Sequence, residues 1–146
     1  MIELLATSII TLSSALLFVY WFRYTCMLIL SAKTSRDYAA DVATANQLSF
    51  PQVQNRLREQ ANADLGELVA SLDRDYAVIT YLLNNAPKVS TGASTVETKM
   101  LAVNYRVMRT WFSVSRSRRA LEEMANVVAH FANAMGERAA LSSSAA

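Results

Sequence analysis

The hydrophobic pattern of the chain changes about thirty residues from its start. The run from Leu4 to Phe22 carries no charged side chain, and its length of about 19 residues is close to the ~20 that cross a bilayer core as a helix. Aromatic side chains cluster from Phe18 to Tyr24, as expected near lipid headgroups. A cleaved signal peptide would need a basic stretch before the run and small residues directly after it. The segment therefore predicts an uncleaved transmembrane helix, which satisfies its own backbone in lipid.

The apolar stretch continues beyond Arg23 to Ala32, so that as a helix it would be about 43 Å long and would exceed the bilayer core. Arg23 either extends its guanidinium to the interface or faces a partner membrane protein that supplies a carboxylate. Thr7, Thr11 and Ala15 repeat every four residues, and small or hydroxylated side chains let helices approach closely in lipid. We expect a membrane helix contact at these three residues and at Arg23.

Charged residues around the apolar run predict its orientation. Glu3 precedes the run, whereas Arg23, Lys33 and Arg36 follow it. Because segments rich in Lys and Arg stay on the cytoplasmic side, the N-terminus is expected outside and the long C-terminal part in the cytoplasm. The pattern is typical of a single-pass protein of a bacterial-type inner membrane, with the lipid bilayer as its first partner.

Helical periodicity dominates the rest of the chain, and glycine (3) and proline (2) are too rare for a sheet protein with frequent turns. Residues 33–48 predict a continuation of the anchor helix. The segment 49–51 (Ser-Phe-Pro) is typical of a helix start and 84–87 (Asn-Asn-Ala-Pro) of a helix end. One long helix that includes Gly66 is expected between them. Its apolar stripe consists of Val53, Leu57, Ala61, Leu65, Leu68, Leu72, Tyr76, Ile79 and Leu83.

Two further helices are predicted in the C-terminal third. Ser94 and Glu97 have the spacing of a capping box. Serines between Ser113 and Arg119 favour a break, because their side chains compete for backbone hydrogen bonds. The alternative is one helix to Arg138, about 70 Å long.

The first of the two helices has a wide apolar arc, which predicts contact with more than one neighbour. One side holds Val96, Met100, Val103, Val107, Trp111 and Val114, and Leu101, Tyr105, Met108 and Phe112 extend the arc.

These patterns predict an all-α protein, with a single N-terminal transmembrane helix followed by a cytoplasmic bundle of about three helices. The anchor and juxtamembrane helix are expected over residues 1–32 and a helical extension over 33–48. The bundle is expected over 49–140 and a disordered tail over 141–146.

Side chains capable of chemistry are few and scattered. The single cysteine excludes an internal disulfide and a Cys-pair metal site, and His130 has no ligand partner three or four residues away, so it reads as a partly buried structural histidine. The pairs Asp73/Asp75 and Glu122/Glu123 lie beside arginines, which is typical of a solvated face with local ion pairs. We expect no catalytic residue, no metal and no cofactor.

Basic residues between Lys99 and Arg119 occur without an intervening acid. On an unbroken helix, Lys99, Arg106, Arg109, Arg116 and Arg119 would form one cationic stripe. The stripe is either a plain solvated face or a contact for anionic lipid or an acidic protein. Nucleic acid is the less favoured anion, because the net charge of +2 is small and no DNA- or RNA-binding motif is present.

The leading functional hypothesis is a non-enzymatic, membrane-anchored interaction protein that serves as a structural or accessory component of a membrane complex, or that self-associates. The alternatives are a membrane-bound signalling or sensor module, and a peripheral binder of anionic lipid or nucleic acid that uses its basic helix face. Few residues are predicted outside the membrane to sense a signal, which makes the sensor the weaker alternative.

Overall fold

The computed structural model describes residues 1–32, 36–86 and 95–145, and within them all regular structure is α-helical. The chain consists of two compact units, Met1–Ala32 and Lys33–Ala146. The six helices of the described residues are α1 (Ile2–Ser31), α2 (Ala39–Asn46), α3 (Phe50–Glu59), α4 (Leu65–Asn85), α5 (Thr95–Ser115) and α6 (Arg118–Ser144). The all-helical class is confirmed. The region from residue 49 onward, where about three helices were expected, contains four described helices, α3 to α6, and α2 precedes them.

The first unit is the single helix α1, which has 30 residues and is apolar on all sides. Its length and composition suffice to cross a membrane, and its large apolar side chains from Met1 to Leu28 are mostly exposed. The helix ends at Ser31 because Ala32 adopts an extended conformation with ψ 124°. The predicted continuation over residues 33–48 is therefore wrong. Instead, α2 is a separate helix of the second unit.

The second unit is built around α6, which packs against α2, α3, α4 and α5. This central position explains why α6 buries residues on most of its circumference, including small ones that let neighbours approach. The core consists of aliphatic, aromatic and methionine side chains from five helices. Its fully buried members include Leu72, Ile79, Leu101, Phe112, Leu121, Met124, Val127, Val128 and Phe131.

Gly136 sets the spacing between α2 and α6. A Cβ at this position would overlap the Cβ of Tyr38 and lie 3.1 Å from a methyl group of Val42. The Tyr38 amide also donates a 2.6 Å hydrogen bond to the Asn133 side chain on α6. These contacts hold α2 against the bundle, which is the physical reason that this segment does not prolong α1.

The expected long helix between Ser49 and Ala86 is two helices. The chain leaves helical geometry from Gln60 to Asp64, and the Asp64 side chain caps α4 by accepting hydrogen bonds from the amides of Gly66 and Glu67. Gly66 therefore lies in the first turn of α4 and not inside a continuous helix. The outer ends were correctly predicted, since α3 begins at Phe50 and α4 ends at Asn85.

The predicted break near Ser113–Arg119 is confirmed, and the alternative of one uninterrupted helix is wrong. Arg116 has φ 52° in the left-handed region, and α6 starts at Arg118. Ser94 of the predicted capping box lies outside the described residues. The expected disordered tail is also wrong up to Ser144, because α6 continues that far. Alanines favour helix there, and the Ser142, Ser143 and Ser144 hydroxyls donate to carbonyls three residues earlier.

Candidate interaction surface

The apolar arc of α5 divides into a buried and an exposed face. Leu101, Tyr105, Met108 and Phe112 are buried in the core together with Asn104. The other side, here called the outer face of α5, remains in solvent. Its apolar members and their exposed fractions are Val96 (64%), Val103 (48%), Val107 (45%), Trp111 (56%) and Val114 (78%). The predicted contact of α5 with more than one neighbour is confirmed, because α5 packs against α6 and its Tyr105 and Arg109 bond to Asp73 on α4. The side that carries the valines and Trp111 is nevertheless exposed.

A shallow hollow of about 470 Å³ runs along this outer face. It is lined by Val103, Arg106, Val107, Thr110, Trp111 and Val114. All six of these described residues belong to α5, so the hollow follows the surface of this helix. A contiguous exposed apolar patch of this kind, rimmed by charge, marks a protein or membrane interaction site more often than a ligand pocket.

The inner side of α5 is held by a polar cluster on α4. Asp73 accepts hydrogen bonds from the Tyr105 hydroxyl and from Arg109 Nε, both at 2.8 Å. The Tyr76 and Tyr105 rings stack with centroids 3.9 Å apart and an interplanar angle of 4°. Burial raises the pKa of the Tyr105 hydroxyl, and the bond to Asp73 acts in the same direction. The cluster therefore positions α5 with its apolar outer face turned away from the core.

The five basic residues predicted as one stripe do not share one helix face. Lys99 and Arg106 are exposed on α5, seven residues apart. Arg109 forms an ion pair with Asp73, which compensates its charge. Arg116 lies in the break with its guanidinium carbon 5.5 Å from the centroid of the Phe112 ring, and Arg119 is exposed on α6. The predicted stripe required one continuous helix from Lys99 to Arg119. The chain breaks at Arg116, so the five residues cannot line up along one helix.

Asp75 is buried and does not belong to a solvated face, which corrects the interpretation of the Asp73/Asp75 pair. One of its carboxylate oxygens accepts a 2.6 Å hydrogen bond from the Ser49 amide, at the N-terminus of α3. Burial raises the pKa of this carboxyl group, and bonds from the Ser49 and Phe50 amides together with the nearby Arg74 oppose the rise. Asp75 thus caps α3 from α4, and the Ser49 side chain makes no such cap.

Arg118 has a structural role, which the sequence pattern did not indicate. Its guanidinium donates hydrogen bonds to the carbonyl oxygens of Leu57 (2.5 Å), Gln60 (2.9 Å) and Ala61 (2.8 Å). These are carbonyl groups at the end of α3 that lack a partner within the helix. Arg138 makes a similar 3.0 Å contact to the Leu83 carbonyl near the end of α4. Both arginines come from α6 and stabilise the ends of the helices around it.

His130 is partly buried on α6, as predicted. Burial lowers the pKa of its imidazole, while Glu97 and Glu137 act in the opposite direction. Among the residues that the structure describes, no three His, Cys, Asp or Glu side chains come close enough together to hold a metal ion.

The predicted membrane contact residues lie on α1. Thr7 Oγ1 donates to the Glu3 carbonyl and Thr11 Oγ1 to the Thr7 carbonyl, each at 2.8 Å. These hydroxyl protons are satisfied within the helix, so a neighbouring helix would meet small side chains and free oxygen lone pairs. Ala15 is exposed and Arg23 half-buried. A helix contact at these four positions remains a prediction.

No protein-family model, curated protein or solved structure matches this chain. Its function is therefore inferred from the helices and surfaces described above.

Proposed function

We propose that this chain is a non-enzymatic, membrane-anchored interaction protein. In this proposal α1 spans a bacterial-type inner membrane with its N-terminus outside, and the second unit lies on the cytoplasmic side. The chain associates within the membrane, either with further copies of itself or with another membrane protein, as a structural or accessory component. The observation that carries the proposal is α1 itself: a helix of 30 residues with exposed apolar side chains on every side.

Lipid is the solvent that best accounts for such a helix. A helix that is apolar all round is either buried in a large protein core or spans a membrane, and no residue of the most apolar 18-residue window of α1 is buried. The basic residues Arg23 and Arg36 follow the apolar run, whereas Glu3 precedes it, which supports the proposed orientation.

Association within the membrane is the second part of the proposal. Thr7, Thr11 and Ala15 lie along one side of α1, and small side chains permit close helix packing in lipid. These features favour a helix neighbour on the Thr7/Thr11/Ala15 side.

In-membrane crosslinking of the full chain with mass spectrometry tests this association. Ala15→Ile places a bulky side chain on the proposed contact side and should reduce the association constant obtained from the crosslinked fraction by about tenfold, which corresponds to the loss of ~1.4 kcal/mol of packing. Ser13→Ile makes a similar change on the opposite side of the helix and should leave the fraction unchanged. Equal effects of both variants, or a monomer with no crosslinked neighbour, would contradict the association.

A carbonate wash tests the anchor separately. The full chain should remain in the membrane pellet, because a spanning helix is held by its apolar surface and not by charge. Recovery of the chain in the supernatant would remove the basis of the proposed function, whatever the crosslinking shows.

A further inference from the structure

We infer that the outer face of α5 docks on the surface of an anionic lipid bilayer. The inference rests on the proposed function in one respect, since α1 is what brings the second unit to a membrane. It goes beyond that function because it assigns a lipid partner to a surface of the bundle itself, outside the spanning segment.

The residue types of the outer face are those of an interfacial membrane helix. Four valines and Trp111 form its apolar strip, and every one of them is at least 45% exposed. Helices that lie in the plane of a membrane bury such a strip at the level of the headgroups and keep cations beside it. Tryptophan favours this depth because its ring is amphipathic.

Charge around the strip favours an anionic surface. Lys99 and Arg106 lie along one edge of the strip, and Arg119 is exposed at the start of α6. The Arg116 guanidinium lies instead over the buried Phe112 ring. No acidic residue occurs in the sequence from Lys99 to Arg119. Two carboxylates bond to this part of α5 on its inner side: Asp73 accepts from Arg109 and Tyr105, and Glu123 accepts from Asn104. The outer face therefore combines an apolar strip with a positive rim formed by the exposed cations Lys99 and Arg106.

The same charges disfavour a second copy of the chain as the occupant. A symmetric dimer through this face would bring the cationic rims of two α5 helices together, and like charges in contact oppose association. An acidic protein would also match the charge, but the second unit is linked covalently to α1, the helix proposed to span the bilayer. Only a few residues separate the end of α1 at Ser31 from the second unit, so the effective concentration of lipid at the bundle is high.

Trp111 provides a direct probe in the full chain. The variant Trp21→Phe leaves Trp111 as the only tryptophan. We would reconstitute it in vesicles of phosphatidylcholine with about 30 mol% phosphatidylglycerol and in vesicles of phosphatidylcholine alone, each with and without brominated acyl chains. Docking predicts strong bromine quenching and a blue-shifted emission in the anionic vesicles, with weaker quenching in the neutral vesicles and at high salt.

Two matched variants in the Trp21→Phe background test the positive rim. Lys99→Gln with Arg106→Gln should lower the ratio of docked to undocked chain by about 25-fold, which is about fivefold for each cation close to the membrane surface. Arg56→Gln with Arg58→Gln removes the same charge from exposed positions on α3 and should leave the ratio unchanged. Equal loss in both variants would overturn the assignment to the outer face of α5.

The inference is also overturned if Trp111 in anionic vesicles stays accessible to aqueous acrylamide and is not quenched by brominated lipid. Protection of Trp111 from acrylamide without bromine quenching, accompanied by crosslinks from α5 to protein, would show that the face binds a protein instead. A carbonate wash of the same vesicles distinguishes failure of the α5 docking from failure of the α1 anchor. A carbonate-resistant chain with an exposed Trp111 refutes only the docking, whereas a chain released by carbonate refutes the anchor.

Discussion

At the scale of single residues, Asp75 shows how the second unit places a charged group where its backbone needs one. The carboxylate is buried, yet it faces the free amides at the start of α3, and Arg74 lies 3.9 Å from its other oxygen. Helix N-termini attract negative charge because their first amide groups have no partner within the helix. The sequence placed a helix start at Ser49 correctly, but it could not show that the capping side chain comes from 26 residues further along.

Replacing Asp75 by Asn is expected to change the pH dependence of stability. Burial raises the pKa of Asp75, so the folded state holds its proton more tightly than the unfolded state does. The contribution of Asp75 to stability is therefore greatest below its unfolded pKa and declines as pH rises through the folded value. Asparagine still offers an oxygen to the Ser49 amide but does not ionise.

Urea unfolding of the detergent-solubilised protein between about pH 4 and pH 7 would measure this effect. The free energy of unfolding of the wild type, relative to Asp75→Asn, should fall by on the order of 1 kcal/mol as pH rises. Ser49→Ala removes only the side-chain contact with Arg74 and should keep the wild-type pH dependence. A difference between wild type and Asp75→Asn that is constant with pH would contradict the explanation.

At the scale of the helices, their ends are stabilised by side chains from other helices. The interruption between α3 and α4 occurs within a hydrophobic stripe whose spacing fits one continuous helix. The stripe continues because both helices turn the same side to α6: Val53 and Leu57 on α3, and Leu68 and Leu72 on α4, are all buried. Periodicity reports which side is buried, and it does not report whether the helix axis is unbroken.

Arg118 and its neighbour Arg119 offer a direct comparison for this capping. Arg118→Ala leaves the carbonyl groups of Leu57, Gln60 and Ala61 without their donor, and we expect a loss of about 1–2 kcal/mol in the free energy of unfolding. Arg118→Lys should restore only part of it, because an ammonium group lacks the planar fork of donors. Arg119→Ala, at an exposed position, should change stability by less than about 0.5 kcal/mol.

Chemical denaturation measures these changes in the free energy of unfolding. Hydrogen exchange of the amides in the last turn of α3 shows whether the change arises there. Equal destabilisation by Arg118→Ala and Arg119→Ala would show that the capping contacts contribute little.

At the scale of the whole molecule, the two units differ in what stabilises them. The helix of the first unit is apolar on all sides, whereas the second unit buries the stripes of its helices against one another around α6. The core of the second unit is formed by its own side chains, among them Leu72, Leu121 and Phe131. A domain with its own core can fold without the segment that precedes it.

We therefore expect the second unit, residues 33–146, to fold when produced without α1. It should be helical by far-ultraviolet circular dichroism, unfold cooperatively, and give a near-ultraviolet signal from the packed Tyr76 and Tyr105 rings. A helical fragment that lacks the near-ultraviolet signal and unfolds gradually would indicate a loosely packed state. That result would show that the second unit depends on the first.

The sequence by itself determined the helical class, the apolar helix at the N-terminus, the ends of the helices near Phe50 and Asn85, and the break before Arg118. Each of these has a local cause: an uninterrupted apolar run, a proline beside a helix end, or serines that compete for backbone hydrogen bonds.

Only the tertiary structure decided where the stripe from Val53 to Leu83 is interrupted, that α2 packs on α6, and which of the two apolar sides of α5 is buried. The physical reason is that these outcomes depend on partners distant in the chain. Gly136 admits Tyr38, Arg118 caps α3, and Asp73 holds Tyr105 and Arg109 so that the valines and Trp111 remain outside.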